Sequence, residues 1–433
     1  MLFYSHTLTP RLQYVLHFLS QYYNHAIQCT HDKTAYRAAP DVCKINYSAS
    51  SILENEIHIQ PHALLFETGI KPISIACFRY NNNVAFFKTN GSIPFDLVAA
   101  VFYLLSRYEE YLPHQKDVYG RFAHEASLAY QHNFLKTPLV NSWLEDFRKI
   151  LIQKDASFSV LHSPFSIQLT YDIDLAWSYK AKGFKRTAGG LLRTLLYGDF
   201  KKFRQRVQVL NAKQNDPFDA YDWLDDLHQQ HNVKPLYFFL VAQQRSTLDK
   251  NPAPHNKFFQ NLISNTAKNY AVGLHPSWQS GDAALVLQKE KVFLETHAQR
   301  PITASRQHYI RFALPHTFRQ LIAAGITDDY SMGYGSINGF RASVATPFYW
   351  YDLEQENETT LLLHPFCFMD ANAYYEQKQS PEETWNELLQ YYNAVKAVNG
   401  TLCTIWHNHF LGTDAAFSGW RSLYELFVRL ACA

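Results

Sequence analysis

The sequence has few of the features that mark membrane-spanning, disulfide-stabilised or nucleic-acid-binding proteins. No apolar run approaches the roughly 18 residues that a transmembrane helix needs. The six cysteines include no C-x-x-C pair, so neither a zinc knuckle nor a disulfide framework is expected in so long a chain. Basic residues number 40 and acidic residues 38, and this balance gives no reason to expect a nucleic acid or an anionic membrane as a partner.

The first residues also lack the pattern of a secretion signal. Arg11 and His17 interrupt the apolar residues near the start, and neither a basic segment nor a small-residue cleavage site flanks them. Thr9 and Pro10 predict instead the start of an amphipathic helix. We therefore expect a cytoplasmic protein.

The chain is long enough for two domains. It has 433 residues, and domains commonly have about 100 to 200. Residues 154–166 hold Ser, Asp and Pro between periodic segments, so we predict a smaller α+β domain at 1–160 and a second domain at 161–433. Aromatic residues make up 15% of the chain, which fits either aromatic-rich cores or a cleft that stacks on sugar rings.

Beyond residue 166, short apolar segments alternate with amphipathic ones. This pattern predicts strands at 167–173, 233–242, 270–275, 305–312, 325–331, 358–366 and 401–408. Strands that alternate with helices are typical of a parallel α/β sheet or barrel. In such folds the reactive residues lie at the carboxyl ends of the strands.

Ionisable residues fall at several of these predicted strand ends. They are Asp172, Asp174, His275, His308, Arg311, Asp328, Asp329, His407 and His409. Each alone is more commonly a hydrogen-bonded or solvated structural residue, but their coincidence at successive strand ends favours an active site. Carboxylate and imidazole groups suit Zn²⁺ and similar ions.

The spacing of Asp172 and Asp174 suits metal-assisted hydrolysis. Residues two apart point to the same side of a strand. One carboxylate can then bind a metal while the other reaches metal-bound water, whose pKa the metal lowers to about 7. A histidine on the opposite side can protonate a leaving amine.

Several segments resemble motifs of the polysaccharide deacetylase family. TYDID at 170–174 is similar to the first motif, T-F-D-D-G, and VGLHPSW at 272–278 to the second, H-[ST]-x-x-H. SRQHYIRF at 305–312 lies at the place of the arginine-bearing third motif. GITDDYSMG at 325–333 resembles the Y-D-S-S segment, and IWHNH at 405–409 the last, histidine-bearing motif.

The resemblance implies a metal-dependent hydrolase that removes N-acetyl groups from an amino-sugar-containing glycan or glycan precursor. It implies a distorted parallel (β/α) barrel from about Ile167 to the end of the chain. It also implies that Asp172 is the general base and that Asp174 and His275 bind one divalent ion, which we expect to be zinc. Gln279 stands where the family has its second metal histidine.

The missing ligand and the partner of the base have candidates on a neighbouring predicted strand. We expect His308 to be the third metal ligand. A cation beside Asp172 would keep it ionised. Arg311 is our first choice for this cation, and Arg306 is the reserve.

The general acid is expected from the last strand. We favour His407 over His409, with Asp329 as the carboxylate that holds it charged. Tyr309, Arg341 and His409 are expected to contact the substrate.

The N-terminal region has a signature of its own, FYLLSRYEEYLPHQKDVYGRF at 102–122. It resembles the uncharacterised domain that precedes deacetylase modules in some bacterial proteins. Its charged residues fit either a buried ion-pair network, which we favour, or a ligand site; they are Arg107, Glu109, Glu110, Asp117 and Arg121. We expect this region to pack on the barrel and to shape access to its cleft.

Two other functions stay open at the level of sequence. The same fold could hydrolyse another linear or cyclic amide bond, such as that of a cyclic imide or ureide. The chain could also be a catalytically weak glycan-binding module, for which Gln279 is the best support. The oligomeric state and the identity of the carbohydrate stay open as well.

Overall fold

The computed structural model describes residues 1–40, 43–159, 164–244 and 246–432. The fold is mixed α/β with parallel sheets, as predicted. The boundary expected between residues 160 and 161 lies outside the described residues, and the division into two domains stays a prediction.

The N-terminal region contains a parallel sheet of order β2-β1-β3-β4 and an antiparallel hairpin, β5–β6. Its strands are β1 (Leu2–Tyr4), β2 (Gln28–Thr30), β3 (Lys44–Tyr47), β4 (Ile57–Ile59), β5 (Phe78–Tyr80) and β6 (Asn83–Ala85). Its helices are α1 (Pro10–Tyr23), α2 (Lys33–Ala38), α3 (Leu97–Leu105), α4 (Leu128–Gln131) and α5 (Leu139–Lys154).

Two helices of this region illustrate how local signals set helix ends. The Thr9 side chain accepts a hydrogen bond from the Leu12 backbone N–H, so α1 begins where the Thr-Pro pair predicts. Helix α3 ends at Leu105. Arg107 has a left-handed φ of 53°, which directs its guanidinium to Glu109 and Glu110.

The rest of the chain forms a larger sheet. Its strands alternate with helices, which confirms the predicted α/β pattern. Its order among the described residues is β12-β13-β11-β10-β9-β8-β7-β15-β14, and every pairing is parallel except β12–β13. The strands are β7 (Ser166–Ile173), β8 (Leu236–Leu240), β9 (Ala271–His275), β10 (Ala304–Ser305), β11 (Asp328–Asp329), β12 (Phe348–Asp352), β13 (Asn357–Leu363), β14 (Phe368–Met369) and β15 (Thr401–His407). No ladder joins β12 to β14 in the part of the chain that the structure describes, so the predicted barrel closure is not confirmed.

Helices follow most of these strands. They are α6 (Phe184–Leu196), α7 (Phe200–Leu210), α8 (Tyr221–His231), α9 (Lys257–Asn269), α10 (Ala284–Ala298), α11 (His316–Ala323), α12 (Pro381–Lys396) and α13 (Trp420–Ala431). Helices α6 and α7 and strand β12 are not among the predicted elements. They lie in an insertion after β7 and in a hairpin before β13.

The strand predicted at 305–312 is wrong over most of its length. β10 ends at Ser305. Tyr309 and Ile310 have left-handed φ values of 59° and 53°, so the chain turns away from the strand path there. This turn decides which side chains of the segment reach the strand ends.

Buried ion pairs join the N-terminal region to the large sheet. Arg341 donates to both carboxylate oxygens of Glu110, at 2.8 Å for Nε to Oε1. Arg11 is buried and pairs with Glu356 beside β13, with Nε 2.8 Å from Oε2. The N-terminal region therefore packs on the sheet, as predicted. A search of the described residues finds no helix long and apolar enough to cross a membrane.

Candidate active site

A cavity of about 360 Å³ opens at the carboxyl ends of the central strands. β7, β9 and β15 end at its floor. Its lining includes Asp172, Asp174, His275, His308, Tyr309, His407 and His409. The strand-end rule therefore brings most of the predicted site residues together.

The centre of the cavity is a cluster of one carboxylate and two imidazoles. Asp174 Oδ1 lies 3.1 Å from His275 Nε2, and Asp174 Oδ2 lies 3.6 Å from His308 Nε2. Candidate ligand atoms of the three residues all lie within 4.8 Å of one another. These are the three residues that the sequence predicts as metal ligands.

Contacts behind the imidazoles fix which ring nitrogen faces the cluster. His275 Nδ1 hydrogen-bonds to the carbonyl oxygen of Arg306, and His308 Nδ1 to Asp249 Oδ1 at 3.0 Å. Because these oxygens can only accept, each Nδ1 must donate, which leaves both Nε2 atoms directed at Asp174. Such supporting hydrogen bonds are typical of metal-binding histidines.

Each charged group of the cluster changes the pKa of its neighbours. Burial disfavours the charged form of His308, but Asp174 and Asp249 outweigh it and raise its pKa to about 9. Burial likewise disfavours ionised Asp174, yet His308 and His275 hold its pKa well below the usual range. Asp174 Oδ1 is also a buried oxygen with no hydrogen-bond partner among the described residues. A carboxylate whose orphaned oxygen faces His275 Nε2 and whose other oxygen faces His308 Nε2 fits a divalent cation.

Arg306, the reserve candidate, pairs with Asp172, which corrects the preference for Arg311. Arg306 Nη1 donates to Asp172 Oδ1 at 2.8 Å and to Thr170 Oγ1 at 2.7 Å, and its guanidinium is buried. Arg311 instead pairs with Asp282 on the surface, at 2.7 Å. The reason is the early end of β10, which leaves Arg306 at the strand end and carries Arg311 past the turn.

His407 stands opposite Asp172 in the register of β15 and β7. Its Nε2 lies 3.5 Å from Asp174 Oδ2, and its Nδ1 donates to Asp370 Oδ1 at 2.6 Å. Burial disfavours the imidazolium, but Asp370 and Asp174 raise its pKa well above the usual value. These two carboxylates therefore favour the imidazolium form of His407, which faces the cavity.

Asp370, and not Asp329, is the carboxylate that holds His407, so the expectation for Asp329 is corrected. The carboxylate of Asp329 is occupied by Ser305 Oγ at 2.7 Å and by the backbone and hydroxyl of Ser331. Asp370 directly follows β14, so the strand-end rule applied to the segment PFCFMD could have found it. Asp249 lies in a polar loop, and no periodic signal marks it.

His409 differs from His407 although both line the cavity. Its side chain is buried, and its Nδ1 has no partner among the described residues. Burial and the neighbouring charge of His407 lower its pKa to about 3, so it is neutral near pH 7. The ring can therefore contact a substrate as a neutral imidazole.

The residues predicted to contact substrate divide into two groups. Tyr309 lines the cavity, and its ring lies beside those of Tyr119 and Trp278, with centroids 5.1 and 5.9 Å away. Arg341 does not line it, because its guanidinium is buried against Glu110. The prediction that Arg341 binds substrate is therefore wrong.

The N-terminal region contributes a residue to the cavity wall. Arg121 lines the cavity, and its Nη1 donates to the Tyr309 carbonyl oxygen at 2.6 Å while its Nε donates to Asp117. Arg107, Glu109 and Glu110 form the predicted buried ion-pair network. The charged residues at 102–122 thus contribute both to the packing of the N-terminal region on the large sheet and to the wall of the cavity.

Comparison with known proteins adds a family for the N-terminal region and structural neighbours for the rest. Residues 1–156 match a family of unknown function, DUF7033. No curated protein matches the sequence.

Solved structures similar to the chain include a Mycobacterium smegmatis protein described as a polysaccharide deacetylase, at 13% identity and a TM-score of 0.41, covering 63% of this chain and 85% of that chain. The Puue allantoinase matches at 9% identity and a TM-score of 0.41, covering 62% of this chain and 84% of its own. A Pseudomonas aeruginosa protein described as a polysaccharide deacetylase matches at 10% identity and a TM-score of 0.40, covering 62% and 85%.

Proteins described as polysaccharide deacetylases, the family that the sequence motifs resemble, are thus among the structural neighbours, and the N-terminal region matches a family without a described function. At such identities and TM-scores, the likeness assigns neither an activity nor a substrate to this chain.

Proposed function

We propose that this chain is a metal-dependent hydrolase that removes N-acetyl groups from an amino-sugar-containing glycan or glycan precursor. One observation carries the proposal: candidate ligand atoms of Asp174, His275 and His308 lie within 4.8 Å of one another. Beside them are the carboxylate of Asp172 and the imidazole of His407, which are opposite each other on adjacent strands. The sequence motifs similar to those of polysaccharide deacetylases support the choice of an acetylated amino sugar.

The metal would be held by Asp174, His275 and His308, with zinc as the proposed ion because it prefers nitrogen and carboxylate oxygen. A divalent ion in such a site supplies a Lewis acid that polarises an amide carbonyl and activates water. Asp249 and the Arg306 carbonyl would keep the two imidazoles in the orientation that binding requires.

Asp172 and His407 divide the proton transfers between them in this proposal. Asp172 is buried and accepts a hydrogen bond from Arg306, which would orient its carboxylate for the role of general base. His407, held protonated by Asp370, would donate a proton to the leaving amine. Because both side chains face one cavity from adjacent strands, a single amide group can reach both.

The cavity also suits one sugar ring with its acetamido group. Tyr309 and Tyr375 line it, and aromatic faces bind the apolar faces of sugars. A volume of about 360 Å³ is within the range of sites that hold a small ligand or one unit of a longer one. We propose in addition that residues 1–160 form a separate domain, that residues 161–433 curve into a distorted barrel, and that the protein is cytoplasmic.

The test combines metal analysis with an acetate-release assay on N-acetylglucosamine oligomers. Asp174→Ala should lose bound metal, measured by elemental analysis, and turnover with it. Asp328→Ala is the matched control, because this half-exposed carboxylate pairs with His364 outside the cavity. Unchanged metal content in Asp174→Ala would show that the site is misplaced.

Two results would replace the proposed function with another. A metal-containing protein that hydrolyses a cyclic ureide but releases no acetate is a different amide hydrolase. A protein that binds the oligomers without metal and without turnover is a glycan-binding module.

A further inference from the structure

A helical hairpin inserted after β7 carries an unusual concentration of positive charge. Residues 182–206, which we call the basic hairpin, contain eight lysines and arginines and one acidic residue, Asp199. The whole chain has a net charge of only +2. The basic hairpin therefore carries more net positive charge than the whole chain, and the remaining residues are net negative.

The apolar residues of α6 form a stripe that faces no core. Phe184, Leu191, Leu192, Leu195 and Leu196 follow the spacing of one helix face. Yet α6 contains no buried residue among those the structure describes. Phe184 is 87% exposed and Leu196 75% exposed, whereas a helix of a globular protein normally buries such a stripe.

Helix α7 and the turn before it continue the same character. Tyr197 and Phe200 are both more than two-thirds exposed. Lys201 and Arg204 are exposed beside them. Exposed aromatic and aliphatic side chains thus alternate with cations along both helices of the hairpin.

The hairpin is nevertheless held in a fixed place beside the cleft. Arg206 lies so close to Gly190 that a side chain there would collide with its guanidinium, and it stacks on Tyr179 with 4.6 Å to the ring centroid. The stem is anchored by Asp216, whose carboxylate accepts backbone hydrogen bonds from Ser178, Tyr179 and Lys180. Its exposed face is therefore presented by a built structure.

A basic hollow connects the hairpin with the active site. Its volume is about 530 Å³, and its cations are Lys182, Arg186, Arg193, Lys202, Arg206 and Lys250. Leu175 and Lys250 line both this hollow and the catalytic cavity. A surface bound to the hairpin would consequently lie next to the mouth of the cleft.

We infer that the basic hairpin docks on an anionic lipid surface. Amphipathic helices with Lys and Arg on the polar face and Leu and Phe on the other insert shallowly at the boundary of headgroups and acyl chains. Each cation near an anionic bilayer adds to the attraction, and exposed aromatic rings favour the interface. The inference concerns a surface outside the catalytic residues and stands whether or not the proposed function is correct.

The test is co-sedimentation of the full chain with vesicles of phosphatidylcholine, with or without phosphatidylglycerol. The protein should sediment with the anionic vesicles and much less with phosphatidylcholine alone, and added salt should release it. The double variant Lys201→Glu/Arg204→Glu should lower the partition coefficient at least about fivefold. This lower bound is the effect expected from the loss of a single cation near the surface. Leu196→Asp should lower it by a similar factor.

Matched controls lie on another helix. Leu285 is 80% exposed on α10, and Lys289 is exposed on the same helix. Leu285→Asp and Lys289→Glu should leave vesicle binding within about twofold of the original, and circular dichroism should show that all variants are folded.

Three outcomes would overturn the inference. They are no binding to anionic vesicles, binding that the hairpin variants leave unchanged, and self-association in the absence of vesicles that Leu196→Asp abolishes. The last would assign the hairpin to contacts between copies of this chain.

Discussion

Two clusters of buried charge in this protein have similar components but different surroundings. One lies where the N-terminal region meets the large sheet and consists of Arg107, Glu109, Glu110 and Arg341. In it, Glu110 accepts from both arginines, at 2.7 and 2.8 Å, and Arg107 also donates to Glu109 at 2.7 Å. Each charge of this cluster faces an opposite charge. None of its four residues lines the cavity at the strand ends.

The cluster at the strand ends is incompletely satisfied. Three imidazole Nε2 atoms, those of His275, His308 and His407, approach the single carboxylate of Asp174 at 3.1 to 3.6 Å. One oxygen of Asp174 has no hydrogen-bond partner among the described residues, and the group faces an open cavity. Burial and charge are common to both clusters, so the unsatisfied oxygen and the cavity are what mark a site for chemistry.

The largest difference in turnover between the two clusters is expected from a change at Asp172. Asp172→Asn keeps the shape of the side chain but removes its negative charge and its ability to accept a proton. We expect acetate release to fall on the order of 10²- to 10⁴-fold while metal content stays constant. Asp328→Asn, which changes a carboxylate outside the cavity, should retain turnover. Full activity in Asp172→Asn would remove this residue from the mechanism.

A smaller effect should separate the two histidines of the last strand. His407→Ala removes the imidazolium held by Asp370 and should lower turnover at least about 10²-fold. His409→Ala removes a neutral ring and should lower turnover less than about tenfold. Both variants are assayed for acetate release with metal content checked. The reverse order of effects would make His409 the acid, and no effect in either would exclude both.

The smallest effect on turnover, but a large effect on stability, is expected at the ion-pair cluster. Glu110→Gln leaves two buried guanidinium groups without their shared carboxylate, which should cost about 3–5 kcal/mol in the free energy of unfolding. The turnover of folded enzyme should stay within about twofold. Urea denaturation and the acetate assay measure the two quantities. Glu354→Gln, at an exposed pair with Arg319, is the control and should cost less than about 1 kcal/mol.

The pH dependence of the free energy of unfolding gives a second test of the role of Glu110. Burial disfavours ionised Glu110, but Arg341 and Arg107 lower its pKa from 4.5 to about 2. Because the folded-state pKa is depressed, the stabilisation is present above pH 4.5 and is lost as the pH falls toward 2. Glu110→Gln should lack this part of the acid destabilisation. An identical pH profile in the variant would contradict the assignment of Glu110 as a buried, ionised partner.

The sequence predicts the candidate catalytic cluster better than it predicts the contacts that support it. Asp172, Asp174, His275 and His407 lie at or next to the ends of strands of five to eight residues, whose ends can be read from the pattern. Arg311 was preferred over Arg306 because the end of the two-residue strand β10 has no such pattern. Asp370 was missed for the same reason, since it follows the equally short β14.

The net charge of the whole chain gives no indication of the basic hairpin. A net charge of +2 predicts no anionic partner, but this value averages over 433 residues. The apolar stripe of α6 is visible in the sequence at helical spacing, whereas its exposure is a property of the tertiary structure. A charge count over each insertion, rather than over the chain, would have identified it.

The pairing of β7 with β15 has a consequence for how this protein can tolerate changes of length. Its register holds over the whole of β15 and sets His407 opposite Asp172. Because side chains alternate between the faces of a strand, losing or gaining one residue within Thr401–His407 would exchange the faces and turn the imidazole away from the cleft. A deletion of a single codon in this strand should therefore be as damaging as replacing the histidine, although every reactive residue would still be encoded. The connecting loops have no such constraint, so variation in length should be confined to them.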